Sequence, residues 1–493
     1  MAFAPRDTGS VAGRRPMVCD AFLSCLPSCS APDNIRTENT LSDSTLLNQS
    51  KSLNTSVLSS ADWPQQAWWQ KLGDHHLNEL ITESLKNSPD MQLASARLAQ
   101  ANAQVAAADS QFDPSLTADA NIRRSRLSRL EDYSGEGNRF GTSRSMGLNF
   151  NYSFDLWGGK RAVWAASVNN QKAAEIDQQA ARITLSTSIV KTYVQLANAY
   201  ALEDLAKKDL ARTQGIVEIT DRLLKNGLTS EDRLYTAQSG EAGAKQALKQ
   251  RSLTVAKLKN ALSALTGSGP DRALNIPRPS VSVQADFNLP HNLPASLLSH
   301  RPDITAARWR VEAASKQIDA AKTRFYPDFN LSAMAGFKSV LGDAVFADVS
   351  QSWNVTPAIS LPIFTADLKA NLMSKTADYD AAVAQYNKTL VTALSDVSDN
   401  VLSLKSIEQQ LQDAKDSMVL AEKSYQITEK RYEAGMGSQL EVLMAEQQLL
   451  QAESVFTALK NSQQATQVDL IQSLGGGFTD NQQSAPANNN QNS

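Results

Sequence analysis

The chain has 493 residues, a formal net charge of −3 and 42% hydrophobic residues. With this weak negative charge, no strong basic field favours nucleic acid as a partner. The chain has no run of 18 or more apolar residues, so no membrane-spanning helix is predicted. All three cysteines lie within the first 29 residues, so the remaining chain holds no disulfide and no cysteine-ligated metal.

The first 29 residues resemble an export signal. Arg14 and Arg15 precede an apolar stretch at 17–26, which is the order of charged and apolar regions in a secretory leader. The four residues that end in Cys29 resemble a lipoprotein cleavage box, so Cys29 is the predicted site of lipid attachment. Cys25 is a second candidate, and a poor signal or an incorrect start codon is the alternative interpretation.

Four segments of about ten residues alternate apolar and polar side chains. They lie near 116–122, 148–156, 329–337 and 353–363 and predict two β-hairpins, at about 114–157 and 327–364. Alternation over this length is typical of a membrane strand with one face to lipid and one to a wet lumen. A hairpin packed on a soluble core is the alternative.

Four strands cannot close a barrel, because about eight are the usual minimum. Open sheet edges are not tolerated in hydrocarbon. The sequence therefore predicts an oligomer whose protomers share one barrel, and three protomers would supply twelve strands.

Two proline-free stretches, 115–269 and 363–485, carry apolar residues at seven-residue spacing, which Glu203 interrupts once in the first stretch. Such a repeat winds helices into a left-handed supercoil, and a helix over 160–226 would be about 100 Å long. On this pattern alone, an ordinary coiled-coil stalk is the alternative. The repeat includes Leu196, Leu210, Val217 and Leu224 in the first stretch and Leu390, Val397, Leu404, Leu411, Met418 and Tyr425 in the second.

The two halves of the chain share a sequence pattern. Pro89, Arg97, Ala101, Gln104 and Phe112 recur as Pro302, Arg310, Ala314, Gln317 and Phe325 at a constant offset of 213 (302 − 89). Gly227 recurs as Gly435 at an offset of 208 (435 − 227). A period of this length is far longer than the roughly 20–50 residues of solenoid repeats, so it predicts a duplicated half-molecule.

These elements predict a membrane α+β protein with an internal two-fold repeat. The predicted boundaries are a signal-like segment at 1–29, a polar tether at 30–62, a first repeat at 63–275, a second repeat at 276–478 and a disordered tail at 479–493.

Several motifs appear in the same order as in a known family. They are Trp68-Trp69 with Asp74, Leu77 and Leu80; Asp155-Leu156-Trp157-Gly158; Arg301-Pro302-Asp303-Ile304; Phe325-Tyr326-Pro327; Leu361-Pro362-Ile363-Phe364; and Leu474-Gly475-Gly476-Gly477. Together they resemble the TolC-like outer-membrane factor family, in particular its branch of efflux lipoproteins that serve RND- and MFS-type pumps.

The resemblance implies a trimeric twelve-stranded outer-membrane β-barrel, four strands per protomer, continued by a long periplasmic α-helical coiled-coil barrel. It implies a passive, gated exit duct for drugs and other small toxic compounds. The implied partners are a second and third copy of the chain, outer-membrane lipid, a periplasmic adaptor and an inner-membrane RND or MFS pump that supplies the energy. A type I protein-secretion duct and a non-channel periplasmic scaffold are the alternatives.

The resemblance also implies an entrance gate where the long helices turn. Glu441 matches a carboxylate that rings the entrance, whereas Met444 replaces the family's second ring acid. Tyr432 matches a tyrosine that latches neighbouring coils. The arginine expected near Gly437 is missing, so Asp232 and Arg233 on the other tip are candidates for a replacement latch. For each charge, a solvated helix end is the alternative.

The helix-tip turns are predicted at Gly227, Gly435 and Gly437, where glycine would terminate helices and the adaptor would dock. Six arginines between 123 and 144 are predicted in an outer loop. They would pair with lipopolysaccharide phosphates or remain solvated.

No catalytic constellation is evident, so neither an enzyme nor a cofactor is predicted. The four histidines are His75, His76, His291 and His300. The first pair lacks an evident carboxylate or cysteine partner, so no metal site is predicted.

Overall fold

The structure is a computed structural model that describes residues 32, 34–42, 63–126, 140–280, 300–339 and 344–479. The predictions for Cys25, Cys29, the arginines at 129 and 139, His291 and the tail beyond 479 lie outside these residues. The main elements, in order, are α1 (His75–Asn87), α2 (Pro89–Asp109), β1 (Ser115–Arg126), β2 (Phe140–Phe154), α3 (Gly159–Lys225), α4 (Glu231–Leu265), α5 (Pro302–Thr323), β3 (Asp328–Ser339), β4 (Gln351–Ser360), α6 (Ala366–Glu433) and α7 (Gln439–Ser473).

The order of elements repeats along the chain. The series α2, β1, β2, α3, α4 is followed by α5, β3, β4, α6, α7. The offset is 213 between the starts of β1 and β3 (328 − 115) and 208 between the starts of α4 and α7 (439 − 231). The sequence offset therefore changes within the second hairpin, which is shorter than the first.

The residues group into two compact units. Among the described residues, those within 32–38, 105–168 and 312–381 form the sheet unit, and those within 39–104, 169–311 and 382–479 form the helical unit. The sheet unit holds one antiparallel sheet with strand order β1-β2-β3-β4. Each predicted strand is present, and the two hairpins are joined through the β2–β3 pairing.

The strand register aligns the predicted apolar stripes on one face. Leu116 pairs with Phe150, Phe150 with Ala333, and Ala333 with Val355. Because residues directly opposite one another share a face, these four form one apolar row across the sheet. A parallel row consists of Ala118, Leu148, Ala335 and Trp353.

The intervening rows form a polar face. Asn149 pairs with Thr117 on one side and Met334 on the other, and Met334 pairs with Asn354. Next to this row, Gly147 faces Gly336 across the β2–β3 pair. A Cβ at Gly336 would meet the carbonyl oxygen of Met146 and the Cα of Gly147, so the two strands approach too closely for a side chain there.

Several strand ends differ from the predicted ones, and the largest difference is at the start of β2, which lies at Phe140 and not near 148. β2 ends at Phe154 because the next residue, Asp155, accepts the backbone N–H groups of Lys160 at 3.0 Å and Arg161 at 3.1 Å and so begins α3. β4 ends at Ser360, shortly before Pro362, which has no N–H for a ladder. At the other end of the first hairpin, β1 extends to Arg126, so part of the predicted arginine loop is strand.

A described part of the predicted tether lies against the protein. In the sheet unit, Ile35 packs on a cluster formed by Ile318, Phe325 and Leu372. The backbone N–H of Glu38 donates to the carboxylate of Asp380 at 3.0 Å. In this stretch the tether is therefore bound rather than free.

The helical unit has its core around α1, α3 and α4. Leu77, Ile81, Tyr193 and Leu262 are buried there, together with Trp68 and Trp69. Asp74 caps α1 by accepting the N–H groups of His76 at 2.9 Å and Leu77 at 3.2 Å. None of the helices in the described residues is both long and apolar enough to span a membrane.

Hydrogen bonds govern the ionisation of the buried cap. Burial alone would raise the pKa of Asp74, but the carboxylate accepts hydrogen bonds from Ser280, Leu77 and Tyr193, and these bring its pKa below the ordinary value. Burial and the same Asp74 carboxylate raise the pKa of the Tyr193 hydroxyl. Asp74, one of the motif residues, therefore caps α1. It also accepts hydrogen bonds from Tyr193 of α3 and from Ser280.

Candidate channel entrance

The turn from α3 to α4 is closed by a glycine in the left-handed region. Gly227 has φ +71°, and its N–H donates to Leu224 O at 2.9 Å while that of Leu228 donates to Leu223 O at 2.8 Å. These two bonds are the Schellman pattern at a helix C-terminus. A Cβ at Gly227 would have nothing within 4 Å, so glycine is needed for conformation and not for space.

The turn from α6 to α7 has the same backbone. Gly435 has φ +73°, and the N–H groups of Gly435 and Met436 donate to Tyr432 O at 2.9 Å and Arg431 O at 2.8 Å. The predicted tips at Gly227 and Gly435 are therefore equivalent turns of the two repeats.

Gly437 differs from the expectation that it ends a helix. Its φ lies outside the left-handed region, and it stands two residues before α7 begins. A Cβ there would lie 3.2 Å from a carboxylate oxygen of Glu441 and 3.5 Å from the backbone nitrogen of Tyr432. Gly437 therefore leaves room for the Glu441 carboxylate to fold back over the turn.

The first turns of α4 and α7 are capped differently. The Ser438 hydroxyl accepts the backbone N–H of Glu441 at 3.2 Å, an N-cap bond that satisfies a free helix donor. Ser230 precedes α4 at the equivalent position but makes no side-chain cap bond. Its hydroxyl instead donates to the Asp232 carboxylate, and this bond, assisted by the neighbouring Arg233, lowers the pKa of Asp232.

The third residues of α4 and α7 carry opposite charges. Arg233 and Glu441 are separated by the repeat offset of 208 (441 − 233). Neither Asp232 nor Arg233 forms an ion pair with another element in the described part of the chain. Within one protomer, therefore, they do not latch the two tips together.

The two turns lie at the same end of the helical unit. An Arg222 guanidinium nitrogen is 3.5 Å from Gln439 Oε1, and a Cβ at Gly215 would contact Leu443 at 3.6 Å. The last turns of α3 thus lie beside the first turns of α7. Both tips expose apolar side chains: Leu228 is 72% exposed, Met436 68% and Tyr432 42%.

A charged layer lies about 20 Å from the α3 tip, given 1.5 Å per helical residue. Arg212 is buried, pairs with Asp209 at 2.7 Å and donates to Gln447 at 3.4 Å. Burial raises the pKa of the nearby Glu446 against the opposing effect of Arg212. This layer cannot be predicted from the sequence pattern, because the burial of Arg212 depends on α7, which is distant in the chain.

One expectation about histidine is wrong. His75 and His76 do have a carboxylate partner, since each ring Nδ1 lies 3.3 Å from a carboxylate oxygen of Glu79. The signal was present in the sequence: residues three and four positions apart in a helix are neighbours.

A four-stranded sheet with an exposed apolar face, joined to long helical hairpins, defines one protomer of an outer-membrane channel. Residues 80–268 and 293–476 match the sequence profile of the outer membrane efflux protein family, and the chain belongs to this family. The family, the fold class and the outer-membrane location predicted from the sequence are confirmed, as is the role as channel component of an efflux system.

Curated relatives match over most of their length. The chain is 27% identical over 431 residues to the multidrug resistance outer membrane protein MdtP of Escherichia coli, covering 85% of this chain and 88% of MdtP. It is 31% identical over 418 residues to the toluene efflux pump outer membrane protein TtgC of Pseudomonas putida, covering 84% and 86%.

Solved structures have the same fold. The outer membrane protein VceC of Vibrio cholerae superposes with a TM-score of 0.76 at 35% identity, covering 84% of this chain and 100% of VceC. The CmeC outer membrane channel of Campylobacter jejuni gives a TM-score of 0.79 at 28% identity, covering 92% and 95%.

Proposed function

We propose that three copies of this chain form a gated exit duct for drugs and other small toxic compounds. A periplasmic adaptor would connect this duct to an inner-membrane RND or MFS pump, which supplies the energy. The chain itself contributes a route and a gate, with no catalytic step of its own. The names of MdtP and TtgC, which refer to multidrug resistance and toluene efflux, support this cargo class.

The exposed apolar face of the sheet carries the proposal. Leu116 is 65% exposed and Trp353 77% exposed, although both lie in aligned apolar rows. A face of this kind is favourable only in lipid or under a partner. Within the part of the chain that the structure describes, the outermost strands β1 and β4 each have one edge without a strand partner. In hydrocarbon such edges must pair with another chain.

The long helices support the oligomer independently. From Leu402 to Glu433, no residue of α6 is buried in the single chain, although apolar and tyrosine side chains continue at seven-residue spacing through this stretch. A helix of this length gains most of its stability from tertiary packing. Neighbouring protomers would supply the missing surface, and native mass spectrometry of the detergent-extracted protein should show a trimer.

A deletion strain tests the transport proposal. Compared with its parent, the strain should retain more of a panel of dyes and antibiotics and release an unchanged set of proteins. Re-expression of the intact chain should restore efflux. Unchanged retention together with a missing secreted protein would contradict the proposal and favour a protein-secretion duct.

The gate is proposed at the two helix tips. In a trimer the tips would converge around one entrance, where three Glu441 carboxylates would alternate with three Arg233 guanidinium groups. Because Met444 stands where a second acid is expected, this entrance should select only weakly for cations. We propose that Tyr432, Asp232 and Arg233 hold neighbouring protomers together at the closed gate. The exposed tips, at Gly227 with Leu228 and at Gly435 to Gly437 with Met436, would contact the adaptor.

Ion selectivity in planar bilayers tests this gate. Arg233→Glu should increase the preference for K⁺ over Cl⁻, and Glu441→Arg should reverse it. The double variant should return towards the parent. Glu408→Gln, an exposed acid on α6 about 37 Å from the end of that helix, is the matched control. Equal reversal potentials in all variants would place the entrance elsewhere.

Lipid attachment is proposed at Cys29. The bound position of Ile35 in the sheet unit places the chain six residues after Cys29 beside Phe325, close in sequence to the start of β3. An extended segment of six residues spans at most about 20 Å, so an acylated Cys29 would stay near the strand ends. Labelled palmitate should be incorporated into the parent and Cys25→Ser but not into Cys29→Ser.

The arginines of the first hairpin are proposed to face outer-leaflet phosphates. Arg123, Arg124 and Arg126 lie at the end of β1 next to the hairpin loop, and the Arg124 guanidinium stacks over Phe140 at 5.6 Å. Charge-assisted bonds to phosphate are favoured for guanidinium groups. Replacing the three arginines by glutamine should reduce lipopolysaccharide co-purification.

A further inference from the structure

Three side chains that could bind a metal ion lie close together at the start of α1. His75, His76 and Glu79 are all exposed, and one ligand atom from each lies within 4.8 Å of the others. His75 Nδ1 is 3.3 Å from Glu79 Oε1, and His76 Nδ1 is 3.3 Å from Glu79 Oε2. The carboxylate is therefore flanked by two imidazole nitrogens, each directed at a different oxygen.

The two nitrogen–oxygen distances of 3.3 Å match those between ligands of one metal ion, and the third pair of ligand atoms lies within 4.8 Å. Bonds of about 2.0–2.2 Å from nitrogen and oxygen to a tetrahedral Zn²⁺ place neighbouring ligand atoms about 3.3 Å apart. Two imidazoles and one carboxylate form a donor set suited to borderline divalent cations such as Zn²⁺ or Cu²⁺. Three protein ligands leave a position for water, so the ion would exchange with solvent.

The scaffold beneath the three ligands is rigid. Leu77, Leu80 and Ile81, on the opposite face of α1, are buried in the core of the helical unit. The Asp74 cap holds the start of the helix to Tyr193 at 3.0 Å. Ligands on a fixed element need little reorganisation to bind an ion.

The neighbouring charges leave Glu79 available. Arg272, the nearby cation, forms its ion pair with Glu83 at 2.9 Å, one turn further along α1. Among the described residues, Glu79 forms ion pairs only with the two histidines. The positive end of the helix dipole at the N-terminus of α1 disfavours a bound cation slightly. This cost is smaller than the energy gained from direct ligands.

We propose that His75, His76 and Glu79 form a surface site for a divalent transition cation of the Zn²⁺ or Cu²⁺ class. The two histidines bind through Nδ1 and Glu79 through its carboxylate. This site lies on α1, apart from the helix tips proposed as the entrance. It does not depend on the transport proposal.

Zn²⁺ titration of the full chain tests the site. The protein would be purified in detergent without a polyhistidine tag, stripped with chelator and studied by calorimetry. We expect one equivalent of Zn²⁺ per chain. His75→Asn, His76→Asn and Glu79→Gln should each weaken binding by about tenfold or more, a loss in the range known for altered metal sites. Glu83→Gln, on the same helix, should bind as the parent does.

A spectroscopic readout separates ligation from a general loss of structure. Electron paramagnetic resonance of bound Cu²⁺ should show two coupled nitrogens in the parent and one in each histidine variant, while circular dichroism stays unchanged. No stoichiometric binding by the parent, or equal binding by the parent and both histidine variants, would overturn the proposal. Neither result changes the efflux proposal, which the deletion strain tests separately.

Discussion

The turn at Gly227 and the turn at Gly435 have the same hydrogen bonds and left-handed φ values of +71° and +73°. Three residues into the following helices, however, the first repeat has Arg233 and the second has Glu441. The caps differ as well, because Ser438 binds a helix N–H and Ser230 binds Asp232. The two repeats thus share the backbone conformation of the tip, because that conformation needs glycine. Their side chains differ, because the backbone does not restrict them.

The largest effect is expected where the two repeats meet in the sheet. Gly336→Val would place a side chain against the backbone of Met146 and Gly147 and separate β2 from β3. Because this pairing joins the two hairpins, we expect no assembled channel in the outer-membrane fraction. Gly147→Ala, whose Cβ would be 3.2 Å from Ala335 O, should assemble at a reduced level. Normal assembly of Gly336→Val would mean that the strands are further apart than described.

The two faces of β2 should respond differently to the same charge. Leu148 lies in an apolar row and Asn149 in the adjacent polar row. Leu148→Arg should cost about 2–4 kcal/mol if its row lies near the bilayer midplane, whereas Asn149→Arg should cost much less. Urea unfolding from lipid vesicles measures the difference. Ala335→Arg, the partner of Leu148 in the second repeat, should behave like Leu148→Arg, and tolerance of both would contradict a lipid-facing row.

The two tip glycines should be equally sensitive. Gly227→Ala and Gly435→Ala should each reduce the free energy of unfolding by about 1–2 kcal/mol, the cost of a Cβ in the left-handed region. Gly→Asn at either position should cost less. Gly240→Ala is the control. Gly240 lies inside α4 with open space around it, so alanine there should increase the free energy of unfolding by about 0.5–1 kcal/mol. A large difference between the two tips would indicate that one of them is strained elsewhere.

The smallest effect should distinguish the two caps. Ser438→Ala should destabilise by about 1 kcal/mol because it removes a helix N-cap bond. Ser230→Ala should cost clearly less, since its hydroxyl binds no helix N–H. Thermal unfolding of both variants under identical conditions measures the difference. Equal losses would show that Ser230 caps α4 in solution.

Local patterns predicted much of the fold because they depend on near neighbours in the chain. Alternation near Leu148 and Phe329 predicted both strands and the face that each presents. The ends of the strands were less accurate, since Asp155 stops β2 by capping the next helix. Gly437 was assigned to helix termination by residue type alone, although its role is to leave space for Glu441.

Contacts between residues distant in the chain could not be predicted in this way. The Lys191–Asp469 pair at 2.8 Å connects the two repeats within the helical unit. The bond from Arg301 to Ser473 O at 3.0 Å joins the two ends of the second repeat. Arg301 belongs to a motif that indicated the family and pairs with Asp303 of that motif, but its bond to Ser473 O is known only from the folded chain. The buried Arg212 is a similar case.

By itself the sequence determined the duplicated plan, the sheet strands with their two faces, the long helices and the turns at Gly227 and Gly435. These follow from periods of two and seven residues and from the conformations open to glycine, which are local properties. Only the tertiary structure decided that four apolar stripes align in register, that Arg212 is buried, and that Arg301 bonds to Ser473 O. Each of these depends on side chains or strands brought together in space, and their spacing in the chain does not fix the distance or direction of approach.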